Sequence, residues 1–236
     1  MIRVLIAAPL RQEPKIFREY QKGLDSLILQ EGVTADRFFV VNDCPEVIQD
    51  IRNAEWVEVN SDNVTMYQNH IWDNTLVSNM SVYRNMTIRK ALEGGYDYLL
   101  SVDTDLVLEP HTLEYLLKAD KDCVAGLFWT NGWSNAWLYD QSDGYRTEWS
   151  EPGLYQVGGT GALFLIKRKV LEAGVDYTPI PNLRKAVFGE DRHFCIRAVC
   201  NGFEIWGDSH CLPVHLYKEP DYRNYMAGKV KTCFRK

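Results

Sequence analysis

Tyr98-Leu99-Leu100-Ser101-Val102-Asp103-Thr104-Asp105 is the stretch on which the fold turns. Five mostly apolar residues read as a buried β-strand, and two carboxylates arrive as the strand stops. In open α/β sheets, ligands bind outside the carboxyl ends of the strands. Two acids at i and i+2 with a small residue between them can share a divalent ion. Such an ion completes its shell with water and substrate phosphates. The stretch therefore implies a metal and a phosphorylated ligand at a sheet edge. The alternative at this point is a strand-end turn in which Asp accepts backbone N–H bonds.

The flanking sequence supplies the sheet. Arg3–Ala8 is a first strand closed by Pro9, and Lys15–Gln30 carries Ile16, Tyr20, Leu24, Leu27 and Ile28 at helical spacing. Phe38–Val41 and Glu55–Val59 read as strands, with a short helix over Glu46–Asn53 between them. Ser78–Glu93 is a helix ended by Gly94-Gly95. Downstream, Pro110 opens a helix containing Thr112–Lys118, and Cys123–Trp129 is the next strand. Asn60–Asn74 and Trp129–Pro152 are polar or aromatic and irregular. Gln156–Lys167 resumes with an apolar run, Ala162–Ile166, after Gly158–Gly161; Arg168–Ala173 and Phe188–Asn201 are helical, and Phe203–Trp206 and Cys211–His215 are late strands. This alternation predicts a doubly wound, mostly parallel sheet.

With 236 residues, 46% hydrophobic and 25% charged, the composition is globular, and one domain is expected. A formal net charge of −6 argues against tight, non-specific nucleic-acid binding by the whole surface. A local basic patch is confined to Lys218, Arg223, Lys229, Lys231, Arg235 and Lys236, read as a solvated C-terminal tail. Met1–Pro9 lacks the pattern of a signal peptide, and no run reaches the roughly 20 apolar residues of a membrane helix. Cys44, Cys123, Cys195, Cys200, Cys211 and Cys233 are scattered without metal-type spacing, as expected of free thiols in a reducing cytoplasm. Without a leader, the Asn-x-Ser/Thr triplets at Asn63, Asn79 and Asn85 carry little weight.

Four further groups carry chemistry. Gly189-Glu190-Asp191 stands at a helix start, where the acids either complement the helix dipole or include a general base facing an acceptor hydroxyl. Val157-Gly158-Gly159-Thr160-Gly161-Ala162 is either a tight turn or a loop whose backbone approaches a ligand. Its spacing is not that of a dinucleotide fingerprint. His215, among apolar neighbours, is either a packed core histidine or a residue that completes a metal shell. Trp129, Trp133 and Trp137 would form one stripe on a helix, but Gly132 and the adjacent Asn and Ser residues favour an aromatic loop able to stack a sugar or base.

In combination, the chain resembles a GT-A glycosyltransferase of the family 2 type, in order and over nearly its whole length. The resemblance implies an α/β, Rossmann-like, mostly parallel sheet flanked by helices: the GT-A nucleotide-diphospho-sugar transferase fold. Residues 1–105 would form the nucleotide-binding half, 106–217 the donor-sugar and acceptor half, and 218–236 the basic tail. Ala7-Ala8-Pro9-Leu10-Arg11 resembles the start of the nucleotide pocket, which implicates Pro9 and Arg11. Asp43 resembles the acid that meets base or ribose. Arg84-Asn85 and Arg89-Lys90-Ala91 resemble the helix that brings basic groups to the nucleotide. Asp103-Thr104-Asp105 resembles the metal motif, with Asp105 the more direct ligand, and His215 resembles the third metal ligand. Gly159, Thr160 and Gly161 resemble the loop under the donor sugar. Glu190-Asp191 resembles the pair whose Asp is the base in inverting members. Two departures stand out. Pro9-Leu10-Arg11 replaces the usual Pro followed by Thr or Ser, and the Gln-x-x-Arg-Trp motif of processive synthases is absent.

The resemblance implies a Mn²⁺- or Mg²⁺-dependent glycosyltransferase. Its donor would be a nucleotide-sugar, UDP-linked, and transfer would invert the anomeric centre, with Asp191 as base and Glu190 positioning donor or acceptor. The acceptor would be a glycan, a protein or a small molecule, with modified DNA a minority alternative. A nucleotidyltransferase is the second hypothesis, although Ala8–Glu13 has no glycine to cradle a triphosphate. A non-catalytic carbohydrate- or nucleic-acid-binding module is the third; it leaves the four acids unexplained.

Overall fold

The computed structural model describes residues 1–61, 73–130, 132–137, 151–183 and 185–229, with the backbone alone at 185–188. The elements in chain order are β1 (Ile2–Leu10), α1 (Pro14–Asp25), β2 (Val33–Asn42), a 3₁₀ turn (Pro45–Asp50), β3 (Glu55–Val59), α2 (Asn74–Glu93), β4 (Tyr98–Val102) and β5 (Leu106–Val107). Next come α3 (Thr112–Lys118), β6 (Cys123–Gly126), β7 (Trp129–Thr130), β8 (Trp133–Ser134), β9 (Ala136–Trp137), β10 (Leu154–Val157), β11 (Gly159–Thr160) and β12 (Leu163–Lys167). The chain continues through α4 (Arg168–Glu172), α5 (Lys185–Cys200), β13 (Ile205–Asp208), β14 (Val214–His215) and α6 (Glu219–Met226).

Eight strands form one sheet in the order β10-β13-β6-β12-β4-β1-β2-β3. Strands β3, β2, β1 and β4 are mutually parallel, and so are β6 and β13. Only β12 and β10 run against their neighbours. The expected mostly parallel α/β sheet is present.

Alternation along β1 assigns its side chains to two cores. Leu5 and Ala7 pack with Tyr83, Ile88 and Ala91 of α2 and with Phe194, Cys195 and Ala198 of α5. Val4, Ile6, Ala8 and Leu10 pack with Phe17, Tyr20 and Leu24 of α1 and with Leu113 and Leu116 of α3. Successive side chains of a strand point to opposite faces, so a strand buried on both sides needs helices on both sides.

Register aligns the site. Leu10 pairs with Val41, and Ala7 with Ser101. Arg11, Asp43 and Asp103 therefore emerge at one carboxyl edge, from β1, β2 and β4.

Some boundaries differ from the sequence reading. α1 stops at Asp25 rather than Gln30, because the backbone turns at Ser26 and Ile28 N–H donates to Pro110 O (2.8 Å). α2 begins at Asn74, because the Asp73 carboxylate caps the Leu76 N–H at 2.8 Å. The apolar run Ala162–Ile166 lies on β12 from Leu163 onward, and two short strands, β10 and β11, precede it. Residues 218–236, read as a solvated or frayed basic tail, include α6, which buries no residue; Pro220 and two acids occupy its first turn, and Glu219 pairs with Lys15 and Arg223. Lys231, Arg235 and Lys236 lie outside the described residues, as do most of Asn60–Asn74 and residues 138–150 of the aromatic segment. Among the described cysteines, Cys44, Cys123, Cys195 and Cys211 are buried free thiols and Cys200 is exposed. No described helix is long and apolar enough to cross a membrane.

Candidate active site

The chain leaves β4 at Asp103. Its N–H donates to Ala162 O (2.7 Å), and Leu106 N–H donates to Asp103 O (3.1 Å), closing a turn over the DTD stretch. Inside that turn strand alternation no longer applies, and the two acids diverge. Asp103 Oδ1 accepts from Arg84 Nη2 at 2.8 Å. Asp105 Oδ2 lies 3.1 Å from His215 Nε2, across 110 residues of sequence. Pairing of β14 with β5 sets His215 opposite Leu106, and Leu216 N–H donates to Asp105 O at 2.8 Å. The imidazole is held on its far side, with Nδ1 2.7 Å from Thr130 Oγ1. Fixing one ring nitrogen orients the other, which here faces Asp105.

Arg84 ties the acids together. It comes from α2, is 2% exposed, and divides its guanidinium among three residues, on β4, on the turn after it and on α5. Nη1 donates to Ser101 Oγ (2.9 Å), Nη2 to Asp103, and Nε to Glu190 Oε1 (3.0 Å), with Asp191 Oδ1 3.8 Å away. The planar fork, with five N–H donors in fixed directions, suits this three-way task in a way an ammonium does not. Tyr177 lies alongside, its ring centroid 5.5 Å from the guanidinium carbon.

The Glu-Asp pair is split by burial. Glu190 is 1% exposed and turned into Arg84, whereas the Asp191 side chain is 27% exposed. Gly189 places them: its φ of 63° and ψ of 171° break the helical path of α5 immediately before Glu190, a conformation essentially confined to glycine. Gly161 abuts Asp191 so closely that a Cβ built there would fall 2.0 Å from Asp191 Oδ2. Gly159 is seated on the Trp137 indole in the same way, its Cβ position 2.0 Å from Cζ2. The close approaches made possible by the glycine loop are thus to Trp137 and to Asp191. Thr160 is buried between them. Asn135 staples this loop from the side, donating from Nδ2 to Gly126 O and Gly161 O, both at 3.0 Å.

Charge follows from this packing. Burial raises the Asp191 carboxyl well above its ordinary range; Arg84 opposes the shift, and Glu190 and Asp103 add to it. Asp103 is raised for the same reason, burial outweighing Arg84. Burial lowers His215, but Asp105 outweighs it and leaves the imidazole above its usual value. Burial alone would lower Arg84, yet the surrounding carboxylates hold it firmly charged. One guanidinium faces Asp103, Glu190 and Asp191, with Asp105 beyond, so carboxyl groups outnumber the guanidinium at this edge.

Other expected contacts divide clearly. Asp43 has a left-handed φ of 46° and accepts from Ser61 N–H, Ser61 Oγ (2.6 Å) and Asn42 Nδ2 (2.8 Å). Burial works against its ionisation, but these bonds hold its carboxyl below the usual value. Pro9 and Arg11, both half-buried, stand beside it at the end of β1. Arg84 lies under the acids and not on an open surface. Arg89 is exposed, five residues further along α2 and about 140° around it from Arg84, and is not brought to this cluster. Thr130, Ser101, Tyr177, Asn135 and Ser61 join the site without a sequence signal; they are small or polar residues whose partners lie far away along the chain.

Among the described residues no three His, Cys, Asp or Glu side chains converge as a metal cage. Here Asp105 stands with His215, and Asp103 accepts from Arg84. One carboxylate and one imidazole, with phosphate oxygens and water, fit a Mn²⁺ or Mg²⁺ ion that arrives with its substrate.

No protein-family model matches the sequence, and no curated protein matches it. Solved structures do. TarS of S. aureus aligns with a TM-score of 0.56 at 13% identity, over 90% of this chain and 36% of that one. The mannosyltransferase PcManGT from Pyrobaculum calidifontis, solved with GDP-Man and Mn²⁺, aligns at 0.56 and 12%, over 94% and 59%. CMP:2-keto-3-deoxy-manno-octonic acid synthetase, solved with CTP, aligns at 0.54 and 13%, over 98% and 100%. The chain thus covers much less than the full length of the two glycosyltransferases. At these identities the likeness speaks for the fold: the chain has the GT-A fold, the α/β nucleotide-sugar transferase architecture common to glycosyl- and nucleotidyltransferases.

Proposed function

We propose that the protein transfers a sugar from a nucleotide-sugar to an acceptor hydroxyl. The observation that carries this is the Arg84 cluster, which locks an acid of the β4 edge (Asp103) and the Glu190-Asp191 pair into one ion network while leaving Asp191 partly exposed. The base or ribose of the donor would lie over β1 and β2, against Pro9, Arg11 and Asp43. Its diphosphate would sit at Asp105 and His215. At an edge lined by carboxyl groups, a bound cation would bring the diphosphate to Asp105 and His215. A Mn²⁺ or Mg²⁺ ion bound there would act as a Lewis acid for the departing nucleoside diphosphate. Asp191, its pKa raised by burial, would accept the proton of the acceptor hydroxyl as the C–O bond forms. Attack from the face opposite the leaving group would invert the anomeric centre. Glu190, buried on Arg84, would position Asp191.

A nucleotidyltransferase is the second reading, favoured by the full-length alignment with the synthetase solved with CTP. The β1–α1 connection counts against it. Only Arg11-Gln12-Glu13 separate the two elements, with no glycine to wrap a triphosphate. Incubation with Mg²⁺ and candidate acceptors, with UDP-, GDP-, CDP- and dTDP-sugars in one set and nucleoside triphosphates plus sugar phosphates in another, followed by ³¹P and ¹H NMR, separates the two. Nucleoside diphosphate release with an inverted glycoside product supports transfer. Pyrophosphate release from a nucleoside triphosphate and a sugar phosphate overturns it, and a retained anomeric configuration removes Asp191 as an inverting base.

A further inference from the structure

Trp133 stands out as a large apolar side chain left in solvent, 57% exposed. Its orientation follows from strand register. β7 and β8 form an antiparallel pair in which Thr130 lies opposite Trp133. Directly opposed residues of such a pair project from the same face, with Cβ atoms about 5 Å apart. The Thr130 hydroxyl sits 2.7 Å from His215 Nδ1, so the face that carries Thr130 looks at His215, and Trp133 shares that face. Tyr217, 41% exposed, flanks the imidazole with its ring centroid 5.4 Å away. An exposed indole and an exposed phenol therefore border the Asp105–His215 pair.

Sheet order says which ligand meets them. The hairpin follows β6, and the order β6-β12-β4-β1-β2 puts it on the opposite side of Asp103 and Asp105 from Pro9, Arg11 and Asp43. A base or ribose at β1 and β2 cannot also reach Trp133. A donor sugar, one bond from the diphosphate, would be walled by Gly161 and Asp191, whereas the indole stands outward in solvent where a second substrate enters last.

We propose that Trp133 is a stacking platform for a pyranose ring of the acceptor, and hence that the acceptor is a saccharide. An indole face offers an apolar plane to the C–H face of a sugar while its edge stays hydrated. The saccharide is called an acceptor on the strength of the transferase reading; the stacking surface itself does not depend on it.

The test uses the full chain on a printed array of unmodified oligosaccharides of gluco-, galacto-, manno- and N-acetylhexosamine type, with UDP and Mn²⁺ present. Wild type, Trp133→Phe and Trp133→Ala are compared, and each is checked for its thermal shift with UDP, with UDP-sugars and with Mn²⁺. The expected result is binding to a subset of saccharides, kept by Trp133→Phe and weakened about tenfold or more by Trp133→Ala, with nucleotide and donor shifts unchanged. Binding to no saccharide, or equal binding by Trp133→Ala, overturns the proposal. So does loss of the UDP-sugar shift with the UDP shift intact, which would assign Trp133 to the donor sugar. If saccharides bind through Trp133 but no nucleotide binds the wild type, the transferase reading fails and the stacking surface stands.

Discussion

Asp191 and Arg84 take opposite sides of the same ion network, and their substitution should have opposite effects on stability. The folded-state pKa of Asp191 is raised, so the fold favours its protonated form. Its contribution to stability is present below the unfolded value of about 3.8 and is lost as pH rises through the raised folded value. Asp191→Asn should therefore melt at a higher temperature than wild type at pH 7, and the gain should vanish below about pH 4. Transfer in the same variant should fall by about 10² to 10⁴ with donor binding kept, because a positioned base contributes that much. A melting series over pH and a steady-state assay check both. Arg84→Met instead leaves Glu190 charged, buried and unpaired. It should cost about 3–5 kcal/mol of stability by denaturant titration, and addition of Glu190→Gln should recover part of the loss.

At the scale of the element, Gly189 and Gly161 bring α5 to the glycine loop. Gly189→Ala forces a side chain into φ 63°, ψ 171°, at a cost of about 1–3 kcal/mol, and tilts the first turn that carries Glu190 and Asp191. Stability and transfer should fall together. Gly161→Ala differs. Its Cβ would overlap the Asp191 carboxylate and lie 3.2 Å from Asp191 Cβ, so the carboxylate must turn away and the start of α5 must give slightly. Its melting temperature should stay close to wild type while kcat drops by about 10², since displacing a reacting group by about an ångström costs that order. Equal activity in Gly161→Ala would show that Asp191 need not occupy its present position. Measuring both variants separates strain in the helix start from displacement of one carboxylate.

For the whole molecule, selective ligand binding to the native state raises the melting temperature. UDP with Mn²⁺ should shift the protein, UDP with EDTA should shift it far less, and His215→Ala should lose the Mn²⁺-dependent part. No shift with any nucleotide in a folded sample would remove the donor site from the β1–β2 edge. Much of this architecture was legible beforehand because it rests on local periodicity. Alternating buried strands and amphipathic helices announce a doubly wound sheet, and Asp103 at the end of Tyr98–Val102 marks the working edge. Ends set by a single distant bond were not legible, such as the stop of α1 at Ser26 with Ile28 on Pro110, and neither was α6, whose charges masked its proline-led first turn.

The sequence by itself determined the order of the elements, the carboxyl edge and the residue types gathered there, because burial patterns and the spacing of acids and glycines are properties of short windows. Only the tertiary structure decided how those residues divide their work. Asp103 and Asp105 are neighbours in sequence yet part company in the turn after β4, one toward Arg84 on α2 and the other toward His215 on β14. Glu190 and Asp191 part in the same way, one sealed against a guanidinium and the other left reachable. Those choices depend on contacts across about 20 to 110 residues, set by strand register and by which side of a helix is covered. No local pattern of residue types encodes them.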